Sequence, residues 1–296
     1  VGDGANDVGM IKAAHIGIGI SGREGRAAVL ASDFSIGQFR FLARLLLVHG
    51  RWSAKRNREV VLYAFYKNFV YTMANVWFGL VSAYSAQPIY TTAAIATFNV
   101  LWTSFPTIAF ACFDQDVAPH TVMHNPQLYL ETSRLKGTDF LVSAAWWMSS
   151  ALWHSLWCFF VCAISLGSGA TTTATGLPWD VWAVGVASFT CVVITCNMKV
   201  VLRTNHWTAF NVVCIVGSII LWFPFLALLG NTWSAFESFA SVSDVHTMLI
   251  PEPRFWLAIV LSVGGACCAD VFVESAHRQV KPADYKILQE AESIAK

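Results

Sequence analysis

Residues 140–166, FLVSAAWWMSSALWHSLWCFFVCAISL, decide the fold class of this chain. The stretch contains no Asp, Glu, Lys or Arg, and Leu, Trp, Phe, Val and Ala fill most of it. A helix needs roughly 20 apolar residues to cross a hydrocarbon core about 30 Å thick. Residues 140–166 are therefore predicted to form a transmembrane helix.

Five further stretches are also predominantly apolar, and together they predict a mainly α membrane protein with a six-helix transmembrane bundle. The six predicted spans are about 60–82, 93–113, 140–166, 181–202, 207–229 and 254–275. The composition agrees, because the chain is 56% hydrophobic and 12% charged, with a mean hydropathy of +0.54. The net charge of +1 says nothing about nucleic acid, but the sequence has no basic and aromatic binding pattern, so we expect no nucleic-acid partner.

The distribution of Lys and Arg predicts the orientation of the bundle, because positive charge marks the cytoplasmic side. Segments 83–92, 167–180 and 230–251 contain no Lys or Arg. The other segments and the chain ends hold Arg40, Arg44, Arg51, Lys55, Arg56, Arg58, Arg134, Lys136, Arg203, Arg278, Lys281, Lys286 and Lys296. Both ends are therefore predicted to be cytoplasmic, in either the plasma membrane or an endomembrane.

Composition also divides the chain into four regions. We expect a soluble segment at 1–35, a basic amphipathic connector at 36–58, the spans at 59–275 and a cytoplasmic tail at 276–296. Because the sequence begins at what looks like a junction between a strand and a loop, we expect the chain to be the C-terminal part of a longer protein.

The opening stretch, VGDGANDVGM, concentrates polar side chains on a short loop. Gly2 and Gly4 permit a tight backbone path from which Asp3, Asn6 and Asp7 project. Mg²⁺ prefers oxygen ligands and is often bound by one or two carboxylates plus water and phosphate. The loop is therefore a candidate magnesium site, and the alternative is an Asx-rich turn with solvated acids.

The residues after this loop predict a helix and then a short strand. The helix is expected from about Asp7 to Ala14. Ile16, Ile18 and Ile20 alternate with glycines, which is typical of a short buried strand.

The first predicted span has polar residues on one face. Asn68, Tyr71, Thr72 and Asn75 are spaced i, i+3, i+4 and i+7. Lys67 lies roughly 10 Å inside the span at 1.5 Å per residue, where a lysine costs on the order of 3 kcal/mol. We interpret this face as part of a substrate route. The alternative is that Lys67 snorkels and the amides join helices.

The second predicted span continues the polar route. Asn99, Thr103 and Thr107 are spaced i, i+4 and i+8. Pro106 has no N–H, so it leaves the carbonyl of Trp102 without its helical donor. Broken, polar helices at membrane depth commonly line a substrate route. Amides, hydroxyls and one ammonium suit a zwitterionic or anionic lipid headgroup.

Carboxylates are missing where a cation pump would need them. No Asp or Glu occurs from Val60 to Phe113, which disfavours a Ca²⁺ or Na⁺ site in the first two spans. Asp270 lies near the cytoplasmic end of the last span, where we interpret it as a solvated acid.

Several motifs resemble one family in the right order along nearly the whole chain. GDGANDVGMIKAAHIGIGISGREG resembles the hinge motif of P-type ATPases, whose phosphorylation domain belongs to the haloacid dehalogenase superfamily. LYAFYKN, FNVLWTSFP, FDQDV and NPQLYLETSRLKGTDF resemble the type IV subfamily, the phospholipid flippases. By this resemblance, residues 1–35 are the end of an α/β phosphorylation domain, and the spans are the last six of ten.

The resemblance also implies site residues, cofactors and a mechanism. It implies Mg²⁺ ligands at Asp3 and Asp7 and ATP contacts at Asn6 and Asp7. The lipid path along Lys67, Asn68, Asn99 and Thr103 is predicted separately, from the polar side chains of the first two spans. The phosphorylated aspartate and nucleotide domain would lie upstream, so the chain alone is expected to be catalytically inactive. The expected activity is ATP-driven flipping of phospholipid to the cytoplasmic leaflet through an aspartyl-phosphate cycle, with a two-span accessory subunit as partner.

Two other function classes remain at this stage. A cation-transporting P-type ATPase would share the magnesium loop, and a non-catalytic membrane scaffold would share the bundle. An intact phosphorylation motif upstream would favour a pump, whereas its loss would favour the scaffold, because fold alone does not assign function.

Overall fold

The structure is a computed structural model that describes residues 1–22, 26–133, 137–167, 179–232, 245–280 and 282–294. Two compact units are present, one formed by Val1–Lys55 with Val117–Arg134 and the other by Arg56–Asp116 with Leu135–Lys296. Four of the basic residues from which the orientation was predicted lie outside the described residues, namely Arg134, Lys136, Lys281 and Lys296.

The first unit contains a small parallel sheet. Strands β1 (Ile18–Ile20) and β2 (Phe34–Ile36) pair in parallel, with Gly19 opposite Ser35. Gly2 adds an isolated parallel bridge to Gly19. Helices α1 (Val8–Ala13) and α2 (Ala27–Ala31) precede and follow β1. This βαβ arrangement agrees with the expected end of an α/β domain, and it holds the opening loop beside the sheet.

The predicted strand begins two residues too early. Ile16 is 61% exposed and lies outside β1, whereas Ile18 is buried. The chain turns before Ile18 because the Gly17 N–H donates to Asp33 Oδ2 at 2.7 Å.

The rest of the first unit is helical: α3 (Phe41–Arg44), a π-helical segment (Leu45–Gly50), the start of α4 (Arg51–Val81), α7 (Pro119–His124) and α8 (Gln127–Ser133).

The second unit is a helical bundle with a core of apolar and aromatic side chains. Its other elements are α5 (Thr92–Thr97), a second π-helical segment (Phe98–Trp102), α6 (Ser104–Phe113), α9 (Gly137–Gly167), α10 (Val181–Arg203), α11 (Ala209–Thr232), α12 (Val245–Leu249), α13 (Pro253–Val280) and α14 (Asp284–Ile294). Helix α4 (Arg51–Val81) includes the last residues of the predicted connector at 36–58.

Within the described residues, five helical runs are long and apolar enough to cross a membrane. They are Thr92–Phe113, Gly137–Gly167, Val181–Arg203, Ala209–Gly230 and Pro253–Val280. These runs correspond to five of the six predicted spans. The remaining one, 60–82, lies in α4, a 31-residue helix that carries Arg and Lys along its first turns and Lys67 in its second half. Its role as a sixth span stays a prediction.

Helix α10 lies at the centre of the bundle and packs against α9, α11 and α13. Ala187, Cys191 and Val192 on α10 are fully buried. Large apolar side chains on the outer helices are exposed, including Leu141, Ile164, Val213, Ile220, Leu257 and Val260. A bundle with a close-packed centre and an apolar exterior is suited to a lipid environment, where exposed apolar surface carries no penalty.

Candidate functional site

The opening loop is shaped by the carboxylate of Asp7. Asp7 Oδ2 accepts the backbone N–H groups of Asp3 at 3.0 Å and of Gly4 at 3.4 Å. A Cβ on Gly2 would lie 2.4 Å from the Cβ of Asp7, so this position requires glycine. Asp7 thus fixes the path of the loop through backbone amides.

This arrangement leaves other polar groups of the loop open to solvent. Asp3 and Asn6 are exposed, and Asp7 is half-buried. In the part of the chain that the structure describes, no group of three or more His, Cys, Asp or Glu side chains could hold a metal ion. The loop nevertheless fits Mg²⁺, which needs only one or two carboxylates when water and phosphate complete its shell. Asp3 presents an exposed carboxylate, and Asp7 Oδ2 accepts two backbone N–H groups of the loop.

In the second unit, the structure brings the four predicted path residues together in two pairs. Lys67 Nζ on α4 donates to Thr103 Oγ1 at 2.8 Å. Asn99 Nδ2 donates to Asn68 Oδ1 at 3.1 Å. Lys67 is 8% exposed and Thr103 is buried, whereas Asn68 and Asn99 are exposed. The two pairs join α4 to Asn99 in the second π-helical segment and to Thr103, which directly follows that segment.

The polar face of α4 is only partly covered. Asn68 and Thr72 are exposed, while Tyr71 and Asn75 are half-buried. Tyr71 stacks on Tyr90 and on Phe98, with ring centroids 5.3 Å apart in each case. The face predicted from helical spacing is therefore present, and polar groups lie along its open side.

Side chains satisfy the backbone where the second predicted span changes from π-helix to α-helix. Thr103 Oγ1 donates to the carbonyl of Phe98 at 3.0 Å, and Thr107 Oγ1 donates to the carbonyl of Thr103 at 2.6 Å. Ser104 donates to the carbonyl of Asn99. Hydroxyl groups can thus maintain a broken helix at membrane depth, where an unpaired carbonyl is costly.

The carbonyl of Trp102, which was predicted to lack its helical donor, has a partner on another helix. Asn197 Nδ2 on α10 donates to Trp102 O at 3.1 Å and to Val193 O at 2.8 Å. Asn197 is fully buried. The α-helix restarts at Ser104, so Pro106 lies in its first turn, where a missing N–H is tolerated. Sequence reasoning found the freed carbonyl but missed Asn197.

Sequence reasoning also missed a buried polar network, and its interpretation of Asp270 was wrong. Asp270 Oδ2 lies 2.7 Å from Lys199 Nζ, and the Asp270 side chain is only 12% exposed. Ser150 Oγ accepts from Lys199 at 2.8 Å and donates to Asp270 Oδ1 at 3.0 Å. Asp270 is therefore half of a buried ion pair. The available signal was Lys199, the one charged residue of the predicted span 181–202, together with Asp270, an acid inside the predicted span 254–275.

A cavity of about 650 Å³ in the second unit reaches this ion pair. Arg58, Arg203 and Glu274 are among its lining residues, together with Lys199 and Asp270. Tyr285 of α14 also lines the cavity, and burial, helped by the nearby Glu274 carboxylate, raises the pKa of Tyr285 to about 12. Its hydroxyl therefore stays protonated at neutral pH.

Comparisons with known proteins place these features in a family. Residues 29–283 match the family described as phospholipid-translocating P-type ATPase C-terminal. Over 98% of its length, the chain is 38% identical to probable phospholipid-transporting ATPase 7 of Arabidopsis thaliana and covers 23% of it. Over 88% of its length, it is 40% identical to phospholipid-transporting ATPase ID of Homo sapiens and covers 22% of it.

A third relative, phospholipid-transporting ATPase IC of Homo sapiens, is 36% identical over 98% of the chain, which covers 23% of that protein. The chain thus spans less than a quarter of the length of these curated relatives. The family match covers most of the chain and includes the helices that carry the paired path residues and the buried network. This chain belongs to the phospholipid-translocating P-type ATPase family and carries its C-terminal region.

Proposed function

We propose that this chain is the C-terminal part of an ATP-driven phospholipid translocase. In this proposal, the whole protein moves phospholipid from the outer or lumenal leaflet to the cytoplasmic leaflet through an aspartyl-phosphate cycle. The chain contributes the magnesium-binding loop and part of the lipid path. The observation that carries the proposal is the pairing of Lys67 with Thr103 and of Asn68 with Asn99 beside a broken helix.

These two pairs have the chemistry that a lipid headgroup requires. An ammonium has three N–H donors, and the bond from Lys67 to Thr103 uses one of them. A buried charge is costly unless an opposite charge or hydrogen bonds offset its desolvation. No acidic residue between Val60 and Phe113 can do this. The phosphate or carboxylate oxygens of a headgroup would supply the missing charge while the acyl tails stay in the bilayer.

The opening loop supports the ATP-dependent half of the cycle. Asp7 accepts two backbone amides and so holds the loop, and Asp3 presents an exposed carboxylate that would bind Mg²⁺. Mg²⁺, when bound, would neutralise charge on the transferred phosphoryl group. Asn6, exposed on the same turn, would contact ATP. The phosphorylated aspartate would lie upstream, so the purified 1–296 chain should release no phosphate from ATP above background.

A cation pump and a non-catalytic scaffold are the alternatives. A cation site needs carboxylates that replace the water shell of the ion, but the Asp270 carboxylate is neutralised by Lys199. A lipid is therefore better supported than a cation as the transported cargo. The sequence upstream separates the scaffold from the translocase. An intact phosphorylation motif there would support the ATP-driven translocase, and its loss would support the scaffold.

The partner rests on the family resemblance alone, and the orientation rests on the distribution of Lys and Arg. We propose a two-span accessory subunit as partner, both ends of the chain in the cytoplasm, and α4 as a sixth span. The basic residues at the start of α4 support this orientation because they would lie at the cytoplasmic surface.

Lipid-stimulated ATP hydrolysis by the full-length protein tests the proposal. Lys67→Ala should raise the lipid concentration needed for half-maximal activity, whereas Phe69→Ala, two residues along the same helix, should change it far less. Activity is normalised to the phosphoenzyme, which should still form because Lys67 is not part of the opening loop. Superimposable lipid titrations for wild type and Lys67→Ala would reject the lipid-path assignment.

A further inference from the structure

A chain of four polar side chains connects four helices of the second unit. Tyr66 Oη on α4 lies 2.5 Å from His154 Nδ1 on α9. His154 Nε2 lies 3.4 Å from Asp270 Oδ2 on α13, and Asp270 pairs with Lys199 on α10 at 2.7 Å. Tyr66 and His154 are fully buried, and Lys199 is 1% exposed. None of these residues belongs to the proposed lipid path.

Tyr66, the first residue of this polar network, directly precedes Lys67 on α4. Consecutive residues of an α-helix are separated by about 100° around its axis. When Tyr66 points at α9, Lys67 must point to an adjacent side, where it meets Thr103. One turn earlier, Tyr63 Oη donates to the carbonyl of Cys196 on α10 at 3.2 Å. The two tyrosine hydroxyls therefore fix the rotation of α4 about its own axis.

The Lys199–Asp270 ion pair, at the other end of the polar network, orients His154. Lys199 and Ser150 both donate to the Asp270 carboxylate, which holds it in place. The position of Asp270 beside Nε2 favours the tautomer with the proton on Nε2, and this leaves Nδ1 to accept the Tyr66 hydroxyl. Lys199 also lies 5.1 Å from the centre of the Tyr66 ring. Both the hydroxyl and the ring of Tyr66 are thus restrained.

We propose that Tyr66 and His154, held by Asp270 and Lys199, are positioning residues that keep Lys67 oriented toward Thr103 and the lipid headgroup. This inference rests on the proposed function, because it assumes that Lys67 acts in the lipid path. The two residues touch no lipid themselves. Their loss would let α4 rotate and weaken headgroup capture, while phosphorylation by ATP continues.

The test is a lipid titration of ATP hydrolysis in the full-length protein. Phosphatidylcholine, phosphatidylethanolamine and phosphatidylserine are each titrated into detergent micelles, and the most stimulating lipid is used for all variants. Tyr66→Phe removes only the hydroxyl and should raise the half-stimulating lipid concentration about fivefold, the effect of one net hydrogen bond, with little change in maximal turnover.

Tyr90→Phe is the matched control, because Tyr90 is also buried and its hydroxyl lies 3.2 Å from Ser188 Oγ on α10, while the Phe ring can keep the stacking on Tyr71 of α4. It should leave the half-stimulating concentration unchanged. His154→Leu should shift the concentration as Tyr66→Phe does, and His154→Gln, which retains an acceptor, should restore part of the loss. An equal shift in Tyr90→Phe, or none in Tyr66→Phe, would overturn the inference.

A double mutant separates positioning from general stability. In a Lys67→Ala background, Tyr66→Phe should cause no further shift, because the group that it orients is gone. Additive shifts would overturn the inference and assign Tyr66 to the core alone. An unshifted Lys67→Ala single mutant would reject the lipid path itself, and a shifted Lys67→Ala with an unshifted Tyr66→Phe would reject only the positioning role.

Discussion

Lys67 Nζ lies 2.8 Å from Thr103 Oγ1, and the same hydroxyl donates to the carbonyl of Phe98 at 3.0 Å. One threonine side chain therefore contacts the ammonium of α4 and also satisfies the backbone of the broken helix. This relationship links the charge of the proposed lipid path to the irregular segment beside it. A change at either residue should affect both the path and the helix break.

The first prediction concerns Asp3, the exposed carboxylate of the opening loop. In the full-length protein, Asp3→Asn should weaken Mg²⁺ binding by at least about tenfold, the loss typical of disturbing a metal's ligand shell. The measurement is a Mg²⁺ titration of ATP hydrolysis. Asp284→Asn, at an exposed acid of α14, serves as the control. A wild-type Mg²⁺ dependence in Asp3→Asn would leave Asp3 as a turn residue.

The second prediction concerns the close approach of Gly2 and Asp7. Gly2→Ala would place a Cβ 2.4 Å from the Asp7 Cβ and should force the loop to shift, at a cost of about 1–3 kcal/mol. In the described part of the chain, a Cβ on Gly9 would meet nothing within 4 Å, so Gly9→Ala is the control. Hydrogen exchange of the loop amides should be faster in Gly2→Ala alone. Equal exchange in both variants would contradict the loop geometry.

The third prediction concerns Asn197 and the carbonyl of Trp102. Asn197→Leu leaves this buried carbonyl without its donor and should destabilise the protein by about 1–3 kcal/mol. Ser218→Ala on α11 removes only a bond within its own helix and should cost less. Thermal unfolding in detergent measures the difference.

A rescue experiment makes this prediction specific. Pro106→Ala supplies a backbone N–H four residues after Trp102. Extension of α6 by one residue toward the π-helical segment would bring this N–H to the carbonyl of Trp102, so the change should recover part of the stability lost in Asn197→Leu. It should not stabilise the wild-type protein, in which Asn197 already bonds to the carbonyl. Identical effects of Pro106→Ala in both backgrounds would show that Asn197 does not serve this carbonyl.

The fourth prediction concerns orientation. With the exposed Cys112 and Cys268 replaced by Ser, Ser85→Cys should react with a membrane-impermeant maleimide from outside, and His120→Cys only after permeabilisation. Ser85 and His120 are both exposed, so burial does not protect either position. The reverse pattern at either site would contradict cytoplasmic chain ends and α4 as a spanning helix.

Local patterns predicted those parts of the structure that depend on one helix at a time. Apolar length predicted six spans, and five of them are helical runs that could span a membrane. Helical spacing placed Asn68, Tyr71, Thr72 and Asn75 on one face of α4. The missing N–H of Pro106 likewise revealed the freed carbonyl of Trp102. In each case, the covalent chain and the helical repeat contain the necessary information.

Tertiary pairing explains what the sequence did not reveal. Lys199 and Asp270 are far apart in sequence, and nothing in either span alone shows that they meet, so Asp270 was interpreted as solvated. The freed carbonyl of Trp102 required a donor at the same depth, but only packing identifies Asn197 on α10. Ile16 was placed in a strand because its spacing matched, although the Gly17–Asp33 hydrogen bond turns the chain first.

The central claim is that Lys67 and its partners form part of a phospholipid path, and lipid transport tests it most directly. The full-length protein is reconstituted into liposomes with a fluorescent phospholipid, and ATP-dependent loss of the label from the leaflet facing away from the ATP-binding side is measured. Wild type and Phe69→Ala should transport the lipid at similar rates, whereas Lys67→Ala should transport it several-fold more slowly at equal phosphoenzyme. Equal transport rates in wild type and Lys67→Ala would contradict the account.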